Sequence, residues 1–289
     1  LVAWSGGRIV GRAAVGNVLG LPATATADRA PVDAPERAQH RLMRLPRPSG
    51  SSAVWAADLA TGRAIARNAG APFTGASTIK LGILMEELIR LRGDPLRSPV
   101  WGDLSLMIRE SSNTSANAVL EAIGGSTARG GALTTAMARR LGARTYLAPG
   151  GYLPDDRRGP PVTAIDRPAT QCCFRASAHD LGALLRALVG AAGGHGPAAR
   201  LGLSPRNARV GLWLLAHASH PGLVRPWTHA VTAHKVGYLD SVMHDAAVVF
   251  LRSGPLVLVV MNEDANGADD AAAARYGQRV PAVLLQRCN

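Results

Sequence analysis

Two lysines stand out in this sequence, because all other residues among its 32 lysines and arginines are arginines. An arginine stays charged in a protein, whereas a buried lysine can lose its proton and act as a base. Lys80 follows Ser77 by three residues at the start of a predicted helix, where positions i and i+3 share a face. A serine hydroxyl needs a nearby base to attack a carbonyl carbon. The pair predicts a nucleophile and its base, although a helix cap followed by a surface charge would show the same spacing.

Two further motifs contain groups that suit the same reaction. Ser111 and Asn113 precede a predicted helix, where a second hydroxyl can pass a proton to a leaving group and an amide can bind a carbonyl. Lys235 and Gly237 lie on a predicted strand, which would offer a cation and an open backbone edge to a carboxylate and an amide. Each motif alone also fits ordinary structure, since serine and asparagine are common helix caps.

Hydrophobic periodicity predicts the elements that must position these motifs. The predicted helices span residues 34–45, 77–91, 104–109, 114–123, 132–141, 178–189, 205–216 and 269–286, and the predicted strands span residues 52–58, 63–67, 232–236, 246–251 and 256–261. We therefore expect a single α/β domain over residues 31–289, with an α/β lobe from residues 34–72 and 229–289 and an inserted all-α lobe from residues 73–228. Residues 148–170 are rich in Gly, Pro, Asp and Arg and predict a long loop, which in a compact domain is usually functional.

The composition excludes several classes of protein. The chain has 289 residues, of which 47% are hydrophobic and 18% charged, as is typical of a globular protein. Its net charge of +12 comes from scattered arginines with no basic stripe between aromatic residues, so we expect no nucleic-acid partner. No apolar run is long enough to span a membrane. The cysteines, Cys172, Cys173 and Cys288, lack metal-ligand spacing, so we expect no metal and no cofactor.

The first 30 residues resemble a secretory signal. Arg8 and Arg12 precede a mildly apolar stretch, Ala13–Leu21, and an A-x-A pattern follows that stretch. We therefore expect a secreted or otherwise extracytoplasmic protein, and we exclude these residues from the predicted fold.

Taken together and in this order, the three motifs resemble those of the class A β-lactamase and penicillin-binding-protein superfamily. These motifs are S-x-x-K opening a helix, S-x-N before a helix, and K-x-G on a strand. The run Asn113 to Asn117 continues the second motif as in the family, and the run His234 to Val260 is similar to the family's last strands. The resemblance covers residues 38–285. It implies a β-lactamase/transpeptidase-like fold, in which an antiparallel sheet is flanked by terminal helices and carries an inserted all-α lobe.

The resemblance also implies catalytic roles for four residues. Ser77 would be the nucleophile that is acylated, and Lys80 would be its proton partner. Ser111 would pass a proton to the departing nitrogen. Lys235 would favour the substrate carboxylate and tune Ser111.

Four more residues would bind the substrate if the family's pattern holds. Asn113 would hold the substrate amide. Gly237 would supply the open strand edge, and the backbone N–H of Tyr238 would complete an oxyanion hole with that of the nucleophile. His244 lies where many class A members place an arginine that helps to bind the substrate carboxylate, so its charge state would matter.

The sequence departs from the family's pattern at two motif positions. Ser112 stands where class A β-lactamases usually have an aspartate. Val236 stands where the family has threonine or serine, and valine lacks the hydroxyl that normally helps to bind the substrate carboxylate.

A third departure concerns deacylation. Class A enzymes deacylate with a glutamate in the long loop after the S-x-N helix, whereas this chain has no glutamate between Glu121 and Glu263. The loop offers Asp155, Asp156 and Asp166 instead. An aspartate could position water, but solvated loop charges are the simpler interpretation. The resemblance thus supports acylation and leaves fast turnover open.

Three functions remain open at this point. The first is a class A β-lactamase-like serine hydrolase that acts on β-lactams or related amides. The second is a D-alanyl-D-alanine carboxypeptidase, or another acyl-transferring amidase or esterase of the same superfamily, which the missing glutamate favours. The third is a penicillin sensor or binding module that is acylated without turnover. In each case we expect a monomer whose partner is a small-molecule β-lactam or a peptidoglycan-derived peptide.

Overall fold

A five-stranded antiparallel sheet forms the centre of the protein, and its strands come from both ends of the chain. The computed structural model describes residues 35–155 and 174–285. The strands are β1 (Ser51–Asp58), β2 (Ala64–Arg67), β3 (Phe73–Thr74), β4 (Arg175–Ala176), β5 (Thr232–Leu239), β6 (Val242–Leu251) and β7 (Gly254–Glu263). The main sheet has the order β2-β1-β7-β6-β5, and the short strands β3 and β4 pair separately. Each predicted strand is present, and the short pair is an addition that the sequence pattern did not indicate.

Helices fill the chain between the two groups of strands and also cover its ends. The helices are α1 (Pro35–Arg44), α2 (Lys80–Arg90), α3 (Trp101–Arg109), α4 (Asn113–Gly124), α5 (Thr127–Arg140), α6 (Ala178–Ala192), α7 (Gly196–Arg200), α8 (Pro205–Ala216) and α9 (Asp270–Leu285). Serine side chains cap the N-termini of α4, α5, α6 and α8 by accepting a backbone N–H of the first turn. These helices match the predicted ones, with the short helix α7 added.

Both faces of the sheet are buried, because successive residues of its inner strands enter two separate hydrophobic cores. On β1, Val54 and Ala56 pack towards α1 and α9, whereas Trp55 packs towards the other helices. On β7, Leu258 joins the first core and Val259 joins the second. Since side chains alternate along a strand, a strand that is buried on both faces gives a continuous apolar run. The predicted antiparallel sheet with flanking terminal helices is confirmed.

Helix α2 lies in the middle of the second core. Every residue from Lys80 to Leu88 is buried, and a helix that is apolar all round belongs inside a protein. Helices α3, α4, α5, α6 and α8 all contact it. The first residue of α2 is thereby held in a fully enclosed position, although its side chain carries an amine.

Some predictions fall outside these observations. The signal-like segment of residues 1–30 and most of the long loop of residues 148–170 lie outside the described residues. The boundaries of the two lobes, with the all-α lobe over residues 73–228, stay a prediction. Among the helices of the described ranges, none combines the length and the apolar character needed to cross a membrane.

Candidate active site

Ser77 lies in a 3₁₀ turn, Ala76–Ile79, that leads directly into α2. Its hydroxyl is half-buried, and the turn is closed by the N–H of Thr78, which donates to the carbonyl of Gly75 at 3.1 Å. Ala76 has a φ of 43°, a left-handed conformation that costs free energy for any residue with a Cβ. The sequence predicted a regular helix start here. The structure instead places the serine on a tighter turn, after a strained residue.

The Lys80 amine is completely buried and points at the Ser77 hydroxyl, with 3.0 Å between Nζ and Oγ. It also donates to Oδ1 of Asn113 at 2.7 Å and to the backbone carbonyl of Ser111. Burial, followed by the positive charge of Lys235, lowers the pKa of Lys80 to about 6, although the negative charge of Asp155 opposes the shift. An amine with this pKa is mostly neutral at pH 7, so it can accept a proton.

Ser111 connects the two lysines. Its Oγ lies 3.5 Å from Nζ of Lys80 and 2.8 Å from Nζ of Lys235. Its φ is 61°, so this residue, like Ala76, is held in the left-handed region by its surroundings. One side-chain hydroxyl therefore stands between two buried amines, as the sequence predicted.

Lys235 occupies the sheet side of the cleft, on β5. Its Nζ also donates to the carbonyl of Val236 at 2.8 Å. Burial lowers the pKa of Lys235 to about 7, and the negative charge of Asp245 limits the shift. Asp245 is fully buried and accepts hydrogen bonds from the N–H groups of Leu223 and Val224 at 2.8 and 2.9 Å.

Asp245 also pairs with His234, whose Nδ1 lies 3.0 Å from Oδ1 of the aspartate. Both side chains are fully buried, and His234 is the neighbour of Lys235 on β5. The sequence analysis gave Asp245 no role. The signal that could have found it is an acidic residue in the strand that follows the K-x-G strand, because adjacent antiparallel strands place such residues side by side.

Gly237 lets strand β5 approach the 3₁₀ turn that contains Ser77. A Cβ at this position would lie 2.9 Å from the backbone nitrogen of Thr78 and 3.1 Å from that of Ser77. Such contacts are too close for a real side chain, so glycine is required here for steric reasons. The next residue, Tyr238, has 58% of its surface exposed. Strand β5 and the backbone nitrogen of Ser77 consequently lie next to each other.

The structure does not bring His244 to the cleft, so its expected part in binding the substrate carboxylate needs correction. The ring is fully buried; Nε2 lies 3.0 Å from the carbonyl of Thr74, and Nδ1 accepts the N–H of Asn262. Burial lowers the pKa of His244 to about 4. A neutral, enclosed ring with both nitrogens in use offers a substrate no cation. Asn113, by contrast, lies at the site, because its Oδ1 accepts a hydrogen bond from Nζ of Lys80 at 2.7 Å.

Asp155 is more than a solvated loop charge, because its carboxylate caps helix α4. It accepts the hydroxyl of Ser112 at 2.6 Å and the N–H groups of Asn113 and Thr114 at 2.9 and 3.2 Å. Burial raises the pKa of Asp155, but these hydrogen bonds outweigh it, so the net pKa is lowered. Asp156 lies outside the described residues, as does Asp166.

Sequence analysis did not indicate three ring side chains around the site, those of Tyr152, Phe174 and His220. The rings of Tyr152 and Phe174 stack at a centroid distance of 4.0 Å, and Nζ of Lys80 lies 4.6 Å from the centroid of the Tyr152 ring. On the sheet side, His220 stacks on Tyr238 at 5.3 Å. His220 and Tyr238 border a cavity of about 260 Å³ beside the second lysine. Loop residues such as these carry no periodic signal, so only the fold brings them to the site.

The described residues contain no group of three or more His, Cys, Asp or Glu side chains that could hold a metal ion.

Comparison with known proteins agrees with this fold. The model of a family described as the beta-lactamase enzyme family matches residues 88–286. No curated protein matches the chain. A β-lactamase from Burkholderia phymatum superposes with a TM-score of 0.66 at 20% identity, covering 86% of this chain and 97% of that one.

Two further solved structures are similar to the chain. A class A β-lactamase from Mycobacterium abscessus has a TM-score of 0.64 at 19% identity and covers 85% of this chain and 97% of its own. A protein described as PBP-A has a TM-score of 0.61 at 19% identity, with 88% and 97% covered. At these identities the likeness establishes the fold, a β-lactamase/transpeptidase-like fold.

Proposed function

The chain belongs to the β-lactamase enzyme family, and on that premise we propose that it is a serine hydrolase that forms an acyl-enzyme on Ser77. The observation that carries this proposal is an unbroken chain of polar atoms. Nζ of Lys80 lies 3.0 Å from Oγ of Ser77, and Oγ of Ser111 lies 3.5 Å from Lys80 and 2.8 Å from Nζ of Lys235. Such a chain can carry a proton from a nucleophile to a leaving group.

In the proposed acylation step, neutral Lys80 takes the proton of Ser77 while Oγ forms a bond to the substrate carbonyl carbon. The negative charge then rests on the carbonyl oxygen, where the N–H groups of Ser77 and Tyr238 would stabilise it. The carbon–nitrogen bond breaks next, and Ser111 gives its proton to the departing nitrogen. Lys80 then passes the proton that it took from Ser77 to Ser111, whose Oγ is held by the Lys235 amine, and the acyl group remains on Ser77 as an ester.

We propose that the substrates are β-lactams or related amides, with slow release of the acyl group. Among the described residues, the side chains that hydrogen-bond to Lys80 are those of Ser77, Ser111 and Asn113, and none of these is a carboxylate. A water that attacks the ester needs a base to take its proton. PBP-A, which has the same fold, is known as an acyl-enzyme with penicillin G in a mutant form.

The same observation favours a second candidate, a D-alanyl-D-alanine carboxypeptidase or another acyl-transferring amidase or esterase. Such an enzyme transfers the acyl group of a peptide and is trapped by a β-lactam. A penicillin sensor that never releases the acyl group would show the same stable adduct, but it would not turn over any peptide or ester. Turnover of an acyl-D-alanyl-D-alanine peptide or a thioester therefore separates these two functions.

The test of the proposal is the intact mass of the protein during incubation with benzylpenicillin. We expect one adduct per chain, absent from Ser77→Ala and present in Ser98→Ala, which alters a half-buried serine outside the cleft. An adduct that lasts for hours supports a peptidase or a sensor, whereas fast release with hydrolysis of a chromogenic cephalosporin supports a β-lactamase. A wild-type chain that forms no adduct, or a Ser77→Ala variant that forms one, contradicts the proposal.

We further propose that the protein works outside the cytoplasm as a monomer. Peptidoglycan-derived peptides occur on that side of the membrane, and the signal-like pattern of residues 1–30 supports export. Fractionation of expressing cells, followed by labelling with a fluorescent penicillin and by gel filtration, tests both points.

A further inference from the structure

Two aromatic rings close the base of the long loop beside the proposed nucleophile. Tyr152 precedes the segment 156–173 and Phe174 follows it, and their rings stack in near-parallel planes, 12° apart with 4.0 Å between centroids. Stacked aromatic rings stabilise each other beyond the area that they bury. The two ends of the loop are thus fixed to each other.

Hydrogen bonds hold this aromatic pair at a defined position. Asn117, one helical turn after Asn113 on α4, binds the backbone of Tyr152 on both sides, accepting its N–H at 2.7 Å and donating to its carbonyl at 2.9 Å. The Tyr152 hydroxyl donates to the carbonyl of Ala76 at 3.3 Å. The carbonyl of Phe174 accepts the N–H of Gly75 at 2.8 Å. The pair is therefore attached to both residues that precede Ser77.

The face of the Tyr152 ring covers the Lys80 amine. Nζ of Lys80 lies 4.6 Å from the ring centroid, and this amine makes its hydrogen bonds with Ser77, Ser111 and Asn113. A ring face attracts a cation, whereas exclusion of water favours the neutral amine. Burial is the largest cause of the lowered pKa of Lys80, so exclusion of water prevails. Burial also raises the pKa of the Tyr152 phenol well above its usual value, so this hydroxyl stays neutral and supplies no base.

We propose that Tyr152, supported by Phe174, is a positioning residue that excludes water from the Lys80 amine and thereby makes the acyl-enzyme long-lived. This inference rests on the proposed acylation of Ser77. Hydrolysis of the ester requires a water oxygen to bond to the acyl carbon while a base takes one proton of the water. The bond to Ser77 Oγ then breaks, and the base returns that proton to Oγ. With the ring over Lys80, no water can lie on that side in contact with the amine, so the amine acts as a base for the serine but not for water.

The test compares two substitutions at this position by the rate of acylation against pH and by the lifetime of the benzylpenicillin adduct. Tyr152→Phe keeps the ring and removes one hydrogen bond, so both readouts should stay within about twofold of the wild type. Tyr152→Ala admits water, so the pKa of Lys80 rises and the acid limb of the acylation profile should move up by about one pH unit or more. The adduct lifetime should shorten at least about tenfold, since an attacking water and its base are then in contact.

A control variant separates this effect from a general loss of packing. Trp213 on α8 forms a ring pair with His217, with 4.3 Å between centroids. The described contacts of Lys80 do not include Trp213. Trp213→Ala should leave the acid limb and the adduct lifetime unchanged. If Tyr152→Ala does not fold, Tyr152→Leu replaces it, and shifts in the same two directions are still required.

The outcomes distinguish this inference from the proposed function. A Tyr152→Ala variant with an unchanged acid limb and an unchanged adduct lifetime overturns the inference, while acylation of Ser77 stands. A Tyr152→Phe variant that behaves like Tyr152→Ala also overturns it, because the hydroxyl and not the ring would then be responsible. A wild-type protein without any adduct overturns the proposed function itself.

Discussion

The helical side and the sheet side of the cleft each bury one lysine, but they surround it with different groups. Lys80 on the helical side meets neutral oxygens and the face of an aromatic ring, and its pKa is lowered to about 6. Lys235 on the sheet side lies near the buried carboxylate of Asp245, and its pKa is lowered only to about 7. Burial disfavours either charge and an anion opposes the shift at each site, Asp155 for Lys80 and Asp245 for Lys235, but the charge of Lys235 lowers the pKa of Lys80 further. The comparison shows how one type of side chain can serve as a base on one side and as a cation on the other.

Removal of the amine on the helical side should have the largest effect. Lys80→Met keeps an unbranched side chain one atom shorter but leaves Ser77 without a base, so we expect the rate of benzylpenicillin adduct formation to fall by about a thousandfold or more. Mass spectrometry over hours measures the residual rate. Labelling at the wild-type rate would show that another group removes the proton.

The same variant should be more stable than the wild type. Lys80 has a pKa of about 6 in the fold against 10.5 in an unfolded chain, so the unfolded state binds more protons between these values. The wild-type free energy of unfolding therefore rises with pH across this window. Lys80→Met lacks that dependence and should gain about 1–3 kcal/mol at pH 7, with the gain shrinking towards pH 10. Denaturant unfolding at several pH values measures it, and a destabilised variant would contradict this explanation.

Removal of the amine on the sheet side should have a smaller effect. Lys235→Met leaves the base intact but removes the hydrogen-bond donor to Ser111 and the cation for a substrate carboxylate, so we expect acylation to slow by about 10- to 100-fold. Lys235→Arg keeps the charge and should retain more activity than Lys235→Met. Equal losses in Lys80→Met and Lys235→Met would remove the distinction between the two sides.

The pH dependence of acylation should show both lysines. Lys80 must be neutral, so the rate falls as pH drops below about 6, and Lys235 must be protonated, so the rate falls as pH rises above about 7. The profile should be a narrow bell, with about a tenfold fall per pH unit on each limb. In Lys235→Arg the alkaline limb should move to higher pH, because arginine stays charged. An alkaline limb unchanged in that variant would assign it to another group.

The smallest effect is expected at the helix cap. Asp155→Ala removes the carboxylate that caps α4 without touching the reacting atoms, so adduct formation should stay within about threefold of the wild type. The loss of the cap should cost about 1 kcal/mol of stability at neutral pH. Because the pKa of Asp155 is lowered in the fold, this contribution is present above pH 3.8 and is lost as pH falls below it. A loss of activity comparable to that in Lys80→Met would make Asp155 part of the reaction.

The fold was largely predictable from the sequence, because its elements have strong periodic patterns. Helix α8 (Pro205–Ala216) was predicted to the residue, and the strands near both ends follow from apolar runs bounded by turns. The short pair β3 and β4 has two residues in each strand. A segment of that length has no period, and its pairing depends on tertiary contacts that a local pattern does not contain.

The positions of the site residues were predictable where residue type and spacing coincide, and not where they depend on contacts between distant segments of the chain. Ser77, Lys80, Ser111 and Lys235 meet as expected. His244 was expected at the cleft, and its pairing with Gly237 does place it on the same face of the sheet as Lys235, but Thr74 and Phe73 cover its ring. That contact comes from a short segment without a periodic pattern, so the sequence did not indicate it.

The burial of both lysines has a consequence for chemical modification of this protein. Lys80 is 0% exposed and Lys235 is 2% exposed, and the chain contains no other lysine. Activated esters that acylate amines therefore find no lysine on the folded surface. Any reaction of such a reagent with either lysine requires local opening of the protein, so its rate would measure how often the native state opens around this cleft.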